Sequence, residues 1–140
     1  MMKYQRGFTL LELLVVVSII GILIAMIAAG FGTAQSRSRD ARRRGDIKAM
    51  QNAFEQYYAN NDGNYNSCAT MASATYLPAG LPVDPQTGST YPCIPSSAGV
   101  STTYCTCADL EGTTGGNSSS STCTYVSGTS GGYFCASNLQ

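Results

Sequence analysis

The chain divides by its pattern of apolar and polar positions before any other property is considered. Residues 8–32, FTLLELLVVVSIIGILIAMIAAGFG, are apolar almost without interruption, broken by little more than Thr9, Glu12 and Ser18. About 20 such residues span a bilayer as a helix, so 8–32 predicts a transmembrane segment. Beyond it, residues 33–61 hold a lone glycine, Gly45, and no proline. Here Ile47, Met50, Phe54 and Tyr57 recur at three- and four-residue spacing, one face of an amphipathic helix. Asn60-Asn61-Asp62-Gly63 is a stop signal. Joined end to end, the two stretches predict one helix roughly 80 Å long, apolar all round in its first half and one-sided in its second. Gly21, Gly30, Gly32 and Gly45 are the places where it is expected to bend or melt.

Residues 64–140 follow a different rule. Short β-compatible runs recur between turn signals in sequence rich in Ser, Thr, Gly and Tyr. The candidate strands are 89–94, 102–110 and 132–137, with 123–126 as a fourth. A turn at 83–88 precedes the first of them. The stretch 112–122, GTTGGNSSSST, reads as a flexible surface loop by composition. Its Asn117-Ser118-Ser119 fits the common N-glycosylation triplet, and the serine run is equally compatible with O-linked sugars or with none.

All six cysteines, Cys68, Cys93, Cys105, Cys107, Cys123 and Cys135, lie in this second part. An even set in a small, loop-rich domain beyond a membrane segment predicts disulfides in an oxidising compartment. Zinc would need four thiolates, since the chain has no His, and the spacing Cys105-Thr106-Cys107 is not a CxxC pair. Cys105 and Cys107 share one face of a strand, so each is able to reach a different neighbour. The pairing expected is Cys68–Cys93, Cys105–Cys135 and Cys107–Cys123. With so thin a core, each bridge is expected to contribute roughly 2–4 kcal/mol.

Formal net charge is zero, yet the charges are segregated. Every Lys and Arg lies between Lys3 and Lys48; from Ala49 onward only the acids Glu55, Asp62, Asp84, Asp109 and Glu111 carry charge. The run Arg37, Arg39, Arg42, Arg43 and Arg44 fits three partners: anionic headgroups, acids of a neighbouring subunit, or nucleic acid, the last without the interleaved aromatics that would support it. Counted alone, these arginines outweigh Lys3 and Arg6 and would place the carboxyl-terminal part inside the cell; the disulfide pattern demands the outside. Neither a His for general-base work nor a nucleophile motif is present, which argues against an enzyme. Asp109 and Glu111 alternate on a candidate strand, but two carboxylates fall short of the oxygen set a calcium ion requires. No metal and no cofactor is therefore expected.

The residues from Lys3 to Glu12, KYQRGFTLLE, carry a resemblance. A basic leader ends in Gly7, Phe8 follows, and Glu12 stands fifth from that point. This resembles the prepilin cleavage and methylation signal of type IV pilins and type II secretion pseudopilins. The segment 36–65 and the stretch Leu81-Pro82-Val83-Asp84-Pro85 with Gly88 and Tyr91 are similar to the secretion major pseudopilin, whereas the cysteine-rich end leans toward a pilus subunit. The resemblance implies an α+β pilin fold: a long N-terminal helix, half transmembrane and half amphipathic, packed on a small antiparallel sheet with disulfides. It implies a leader at 1–7, an assembly helix at 8–32, a half-helix at 33–63 and a head domain at 64–140. It also implies that a prepilin peptidase cuts between Gly7 and Phe8 and methylates the Phe8 amine, and that Glu12 pairs with that amine on a neighbour as a register device.

The expected function is a structural filament subunit, made in the inner or cytoplasmic membrane and assembled into an extracellular or periplasmic filament. Its expected partners are copies of itself, minor pilins, the peptidase and, indirectly, an assembly ATPase and platform, without nucleic acid. The alternative is a monomeric, membrane-anchored binding module such as an adhesin, which needs neither cleavage nor an acid at position 12.

Overall fold

The structure, a computed structural model, describes residues 7–73, 75–95, 99–112, 115–128 and 130–140. It is α+β. Helix α1, Leu10–Asn60, runs unbroken through all four glycines at which a bend was expected. Helix α2, Cys68–Met71, is a single turn capped by Ser67, whose hydroxyl accepts from the Thr70 amide. Strands β1 (Cys93–Ile94), β2 (Cys105–Asp109) and β3 (Tyr133–Ser137) form one antiparallel sheet in the order β1-β2-β3.

Contacts divide the chain into two compact units, residues 1–35 and 36–140. In the first, every described side chain from Phe8 to Gln35 is exposed, Phe8 to 85% and Leu10 to 83%. Among the described residues nothing in the unit covers its apolar surface. The helix there is one long and apolar enough to cross a membrane, which is the all-round apolar pattern a lipid-facing helix requires.

The second unit has a core. Ile47, Met50 and Phe54 of α1 are buried to within 1% of complete and pack with Tyr65, Met71, Tyr91, Tyr104, Ala108 and Ala136. The spacing that predicted the stripe therefore identified the packed face; its fourth member, Tyr57, is half-buried against Tyr76. Phe54, Tyr104, Tyr65 and Tyr58 stack in sequence at centroid distances of 5.1, 4.9 and 4.7 Å, within the range where edge and tilted pairs attract. The stop signal acts as expected: α1 ends at Asn60, Asp62 and Gly63 take positive φ, and the Gly63 amide donates to Tyr58 O at 3.2 Å.

The strand expectations need trimming. Only the last two residues of 89–94 are strand, because Pro92 has no N–H for the ladder and Asp84 holds 84–87 in a side-chain turn. The fourth candidate, 123–126, is no strand: Cys123 has φ 56°, which breaks an extended run, and only Tyr125 forms an isolated bridge, to Ser118.

Of the segment expected to be a flexible loop, 112–122, residues 113–114 lie outside the described residues and 116–118 are folded onto the edge of β3. Ser118 exchanges backbone hydrogen bonds with Tyr133 at 3.0 and 3.1 Å and is fully buried. Gly116 and Gly131 exchange another pair at 2.9 and 3.2 Å. Neither glycine has room for a Cβ, which would collide with the opposed backbone carbonyls of Tyr133 and Ser118. Asn117 acts as an extra ladder rung, its amide accepting from Cys135 N at 2.7 Å and donating to Cys135 O at 2.9 Å.

Candidate functional site

The amino-terminal candidates lie on the uncovered helix. Gly7 and Phe8 are exposed, and a Cβ at Gly7 would meet nothing within 4 Å. The fold makes no steric demand for glycine there. Two residues on, Thr9 and Glu12 form a capping box. Glu12 Oε2 accepts from the Thr9 amide at 2.9 Å and from its hydroxyl at 2.8 Å, while the Glu12 amide donates to Thr9 Oγ1 at 3.2 Å. In sequence terms Thr9 is only a polar break in the apolar run. The missed signal was local: Thr-x-x-Glu at the head of an apolar helix is the capping-box pattern. Ser18 does bond a carbonyl, that of Val15, at 2.7 Å.

Within the head, the basic run is largely spent internally. Arg43, its side chain 4% exposed, uses all three nitrogens. Nε and Nη2 donate to Asp84 at 2.5 and 3.2 Å, and Nη1 to Asp40 at 2.8 Å and Glu111 at 3.0 Å. A further Nη2 bond reaches Gln86 at 3.2 Å. Arg39 grips Glu111 in a two-pronged pair at 2.5 and 2.6 Å, the geometry a planar guanidinium is built for. Asp40 also accepts from the amides of Glu111 and Gly112. Arg44 donates to Gly115 O at 2.9 Å and lies 5.8 Å over the Phe134 ring. The head thus consumes three of the five arginines expected to meet lipid, a neighbour or nucleic acid. Arg37 and Arg42 are exposed and have no ion pair among the described residues.

These contacts set the electrostatics. Hydrogen bonds from Arg43 hold the Asp84 carboxyl far below the usual carboxylate range, and Arg39 lowers Glu111. The Asp84 contact in turn raises Arg43 further above the ordinary guanidinium value. An open groove of about 370 Å³ runs beside the cluster, lined by Asp84, Thr90, Tyr91, Asp109 and Glu111. Asp109 is exposed, but both Glu111 oxygens belong to Arg39. The pair weighed for calcium is therefore divided between solvent and an ion-pair network.

A second polar hub was not visible in the sequence. Glu55 accepts from Tyr65 Oη at 3.0 Å, Tyr104 Oη at 3.0 Å and the Leu139 amide at 3.1 Å. One carboxylate thereby ties α1 to the inter-helix turn, the sheet and the chain's end. Burial, reinforced by that carboxylate, pushes both phenols well above their ordinary value.

The six cysteines form three disulfides: Cys68–Cys93, Cys105–Cys123 and Cys107–Cys135. The first is the expected pair; the other two are exchanged relative to expectation. Strand register is the reason. Cys107 stands directly opposite Cys135 on β3, with Cα atoms 4.1 Å apart, whereas Cys105 stands opposite Ser137. Cys105 then takes Cys123 from the neighbouring turn, at a Cα separation of 6.0 Å. The sulfurs of Cys105, Cys107 and Cys123 lie within 4.8 Å of one another, but as oxidised pairs they offer no thiolate to a metal.

Comparison with known proteins finds relatives of part of the chain, chiefly its amino-terminal segment. Residues 2–28 match the family described as the prokaryotic N-terminal methylation motif. The chain is 40% identical over 58 residues to the type IV major pilin protein PilA of Myxococcus xanthus, covering 41% of this chain and 26% of that protein. It is 31% identical over 80 residues to type II secretion system core protein G of Pseudomonas aeruginosa, covering 57% and 56%. A 37% identity over 57 residues links it to core protein G of Escherichia coli, covering 41% and 39%. The matched part spans between about a quarter and just over half the length of these relatives. No solved structure matches significantly.

Proposed function

From an amino-terminal segment of the type IV pilin and type II secretion pseudopilin kind, we propose that this chain is a structural subunit of a type IV filament. It is made as a precursor with residues 1–7 as leader and enters the membrane through 8–32. Cleavage between Gly7 and Phe8 and methylation of the new Phe8 amine then release it for polymerisation with copies of itself and related subunits. The carrying observation is Glu12: a carboxylate at the head of an apolar stretch, 8–35, whose described side chains are all exposed. In the membrane lipid already covers that surface, so close packing of neighbouring helices and the polar contact made by Glu12, not burial from water, supply the drive to assemble.

Glu12 supplies the register. Thr9 occupies Oε2, which fixes the carboxylate's direction, while Oε1 has no donor among the described residues. Before cleavage Phe8 contributes a neutral amide; afterwards it contributes an ammonium, and only then does Oε1 gain a cationic partner on an adjacent copy. Processing thereby precedes assembly for an electrostatic reason. Exposed Gly7, which the fold does not need as glycine, fits a residue selected by the peptidase. The membrane is the inner or cytoplasmic one, with the disulfide-bearing head outside it.

Amino-terminal sequencing of protein from its native membrane tests the reading. The mature chain is expected to begin at methylated Phe8. Gly7→Val should retain the precursor mass, and Glu12→Ala should insert and be cut yet give few filaments. A chain that starts at Met1 and stays solitary would instead make this a monomeric anchored binding module.

A further inference from the structure

Two of the three disulfides are not independent of each other. Cys105 Sγ lies 3.7 Å from Cys107 Sγ, and Cys107 Sγ lies 3.9 Å from Cys123 Sγ, although each of these contacts joins sulfurs of different bridges. Strand geometry imposes the arrangement: Cys105 and Cys107 project from one face of β2, and register presents Cys135 to the second of them. Accessibility within the group is uneven. Cys105 is 9% exposed, Cys135 3% and Cys107 not at all, while Cys123 stands half-exposed on a turn of positive φ. Cys68–Cys93 lies outside this sulfur cluster.

We propose that this four-sulfur cluster is a thiol-exchange site, entered at Cys123 by a small-molecule thiol and able to re-pair its bridges without net reduction. The external thiolate attacks Cys123 Sγ, forming a mixed disulfide there and expelling Cys105 as thiolate. That thiolate is buried, which is unfavourable for a charged sulfur; return to Cys123 Sγ only reverses the first step, and the sulfur of the other bridge within reach is Cys107 Sγ at 3.7 Å. Its attack forms Cys105–Cys107 and expels Cys135. The Cys135 thiolate then attacks Cys123 Sγ of the mixed disulfide, forms Cys123–Cys135 and returns the external thiol to solution. Two disulfides enter and two leave, so the thiol acts catalytically and no oxidant is consumed. The cross-strand bond between β2 and β3 is replaced by one that ties β3 to the 117–126 turn. This inference stands apart from the filament reading and would hold for an anchored monomer as well.

The test treats the full-length oxidised chain, in detergent micelles, with reduced glutathione well below one equivalent. Free thiols are blocked with N-ethylmaleimide before chymotryptic digestion and mass spectrometry. In the native pairing, peptides 105–110, 111–125 and 135–139 are joined in one assembly. After exchange, 105–110 should run alone with an internal disulfide, and 111–125 should be joined to 135–139, with Cys68–Cys93 unchanged. In a chain carrying Cys107→Ser and Cys135→Ser the acceptor bridge is gone, and glutathione should remain on 111–125. Persistence of the three-peptide assembly, or adducts confined to Cys68 and Cys93, overturns the proposal. The wild-type digest decides the matter even if the double variant does not fold.

Discussion

Residues 10–35 and 36–60 belong to one uninterrupted helix, yet they are stabilised by different things. Ile20 in the first stretch is 48% exposed and Ile47 in the second is fully buried. Among the described residues the first stretch is held mainly by its backbone ladder, the Thr9–Glu12 cap and the Ser18 bond to Val15 O, and isolated helices gain little from such local terms. The second is anchored by aromatic packing, by Arg43 and by Glu55. The difference teaches that continuity of a helix is not continuity of its solvent. One half has its apolar face covered by the head; the other has its described side chains exposed.

The sharpest way to break this contrast is to remove Arg43. Arg43→Ala leaves Asp40, Asp84 and Glu111 crowded without their central cation, and breaking a buried pair in this way costs about 3–5 kcal/mol. The melting temperature of the head should fall by many degrees, with helicity of the front segment in micelles unchanged.

Acid offers a milder version of the same experiment. Asp84 and Glu111 are lowered in the folded state. Their contribution is therefore complete above the ordinary carboxylate range of about pH 4 and is lost as pH falls below it through the lowered values. Thermal melts should be level from neutral pH to about pH 5 and decline below about pH 4. In Arg43→Ala that acid-side decline should shrink, since the carboxyls then titrate nearer their unfolded values.

The smallest effect belongs to the other region. Ile20→Ala removes no contact made within the head, so head stability should change by no more than about 0.5 kcal/mol. A larger loss by calorimetry would mean that the front segment supports the head after all.

Much of this was legible in the residues. The all-round apolar run, the Ile47–Met50–Phe54 face and the Asn60–Gly63 stop are local patterns, and helices obey local patterns because their hydrogen bonds close within four residues. Even the capping box was written in plain order and merely overlooked. The oxidised cysteines were legible as a set, from their number and position. Their partners were not, because a one-residue shift in register redirects every side chain, and register is a property of two strands together. Tertiary structure alone turned Arg43 from a surface charge into the centre of an ion-pair network, and made Glu55 a hub for three distant donors. It also folded a serine-rich stretch, composed like a linker, onto a strand edge whose backbone groups would otherwise have gone without partners.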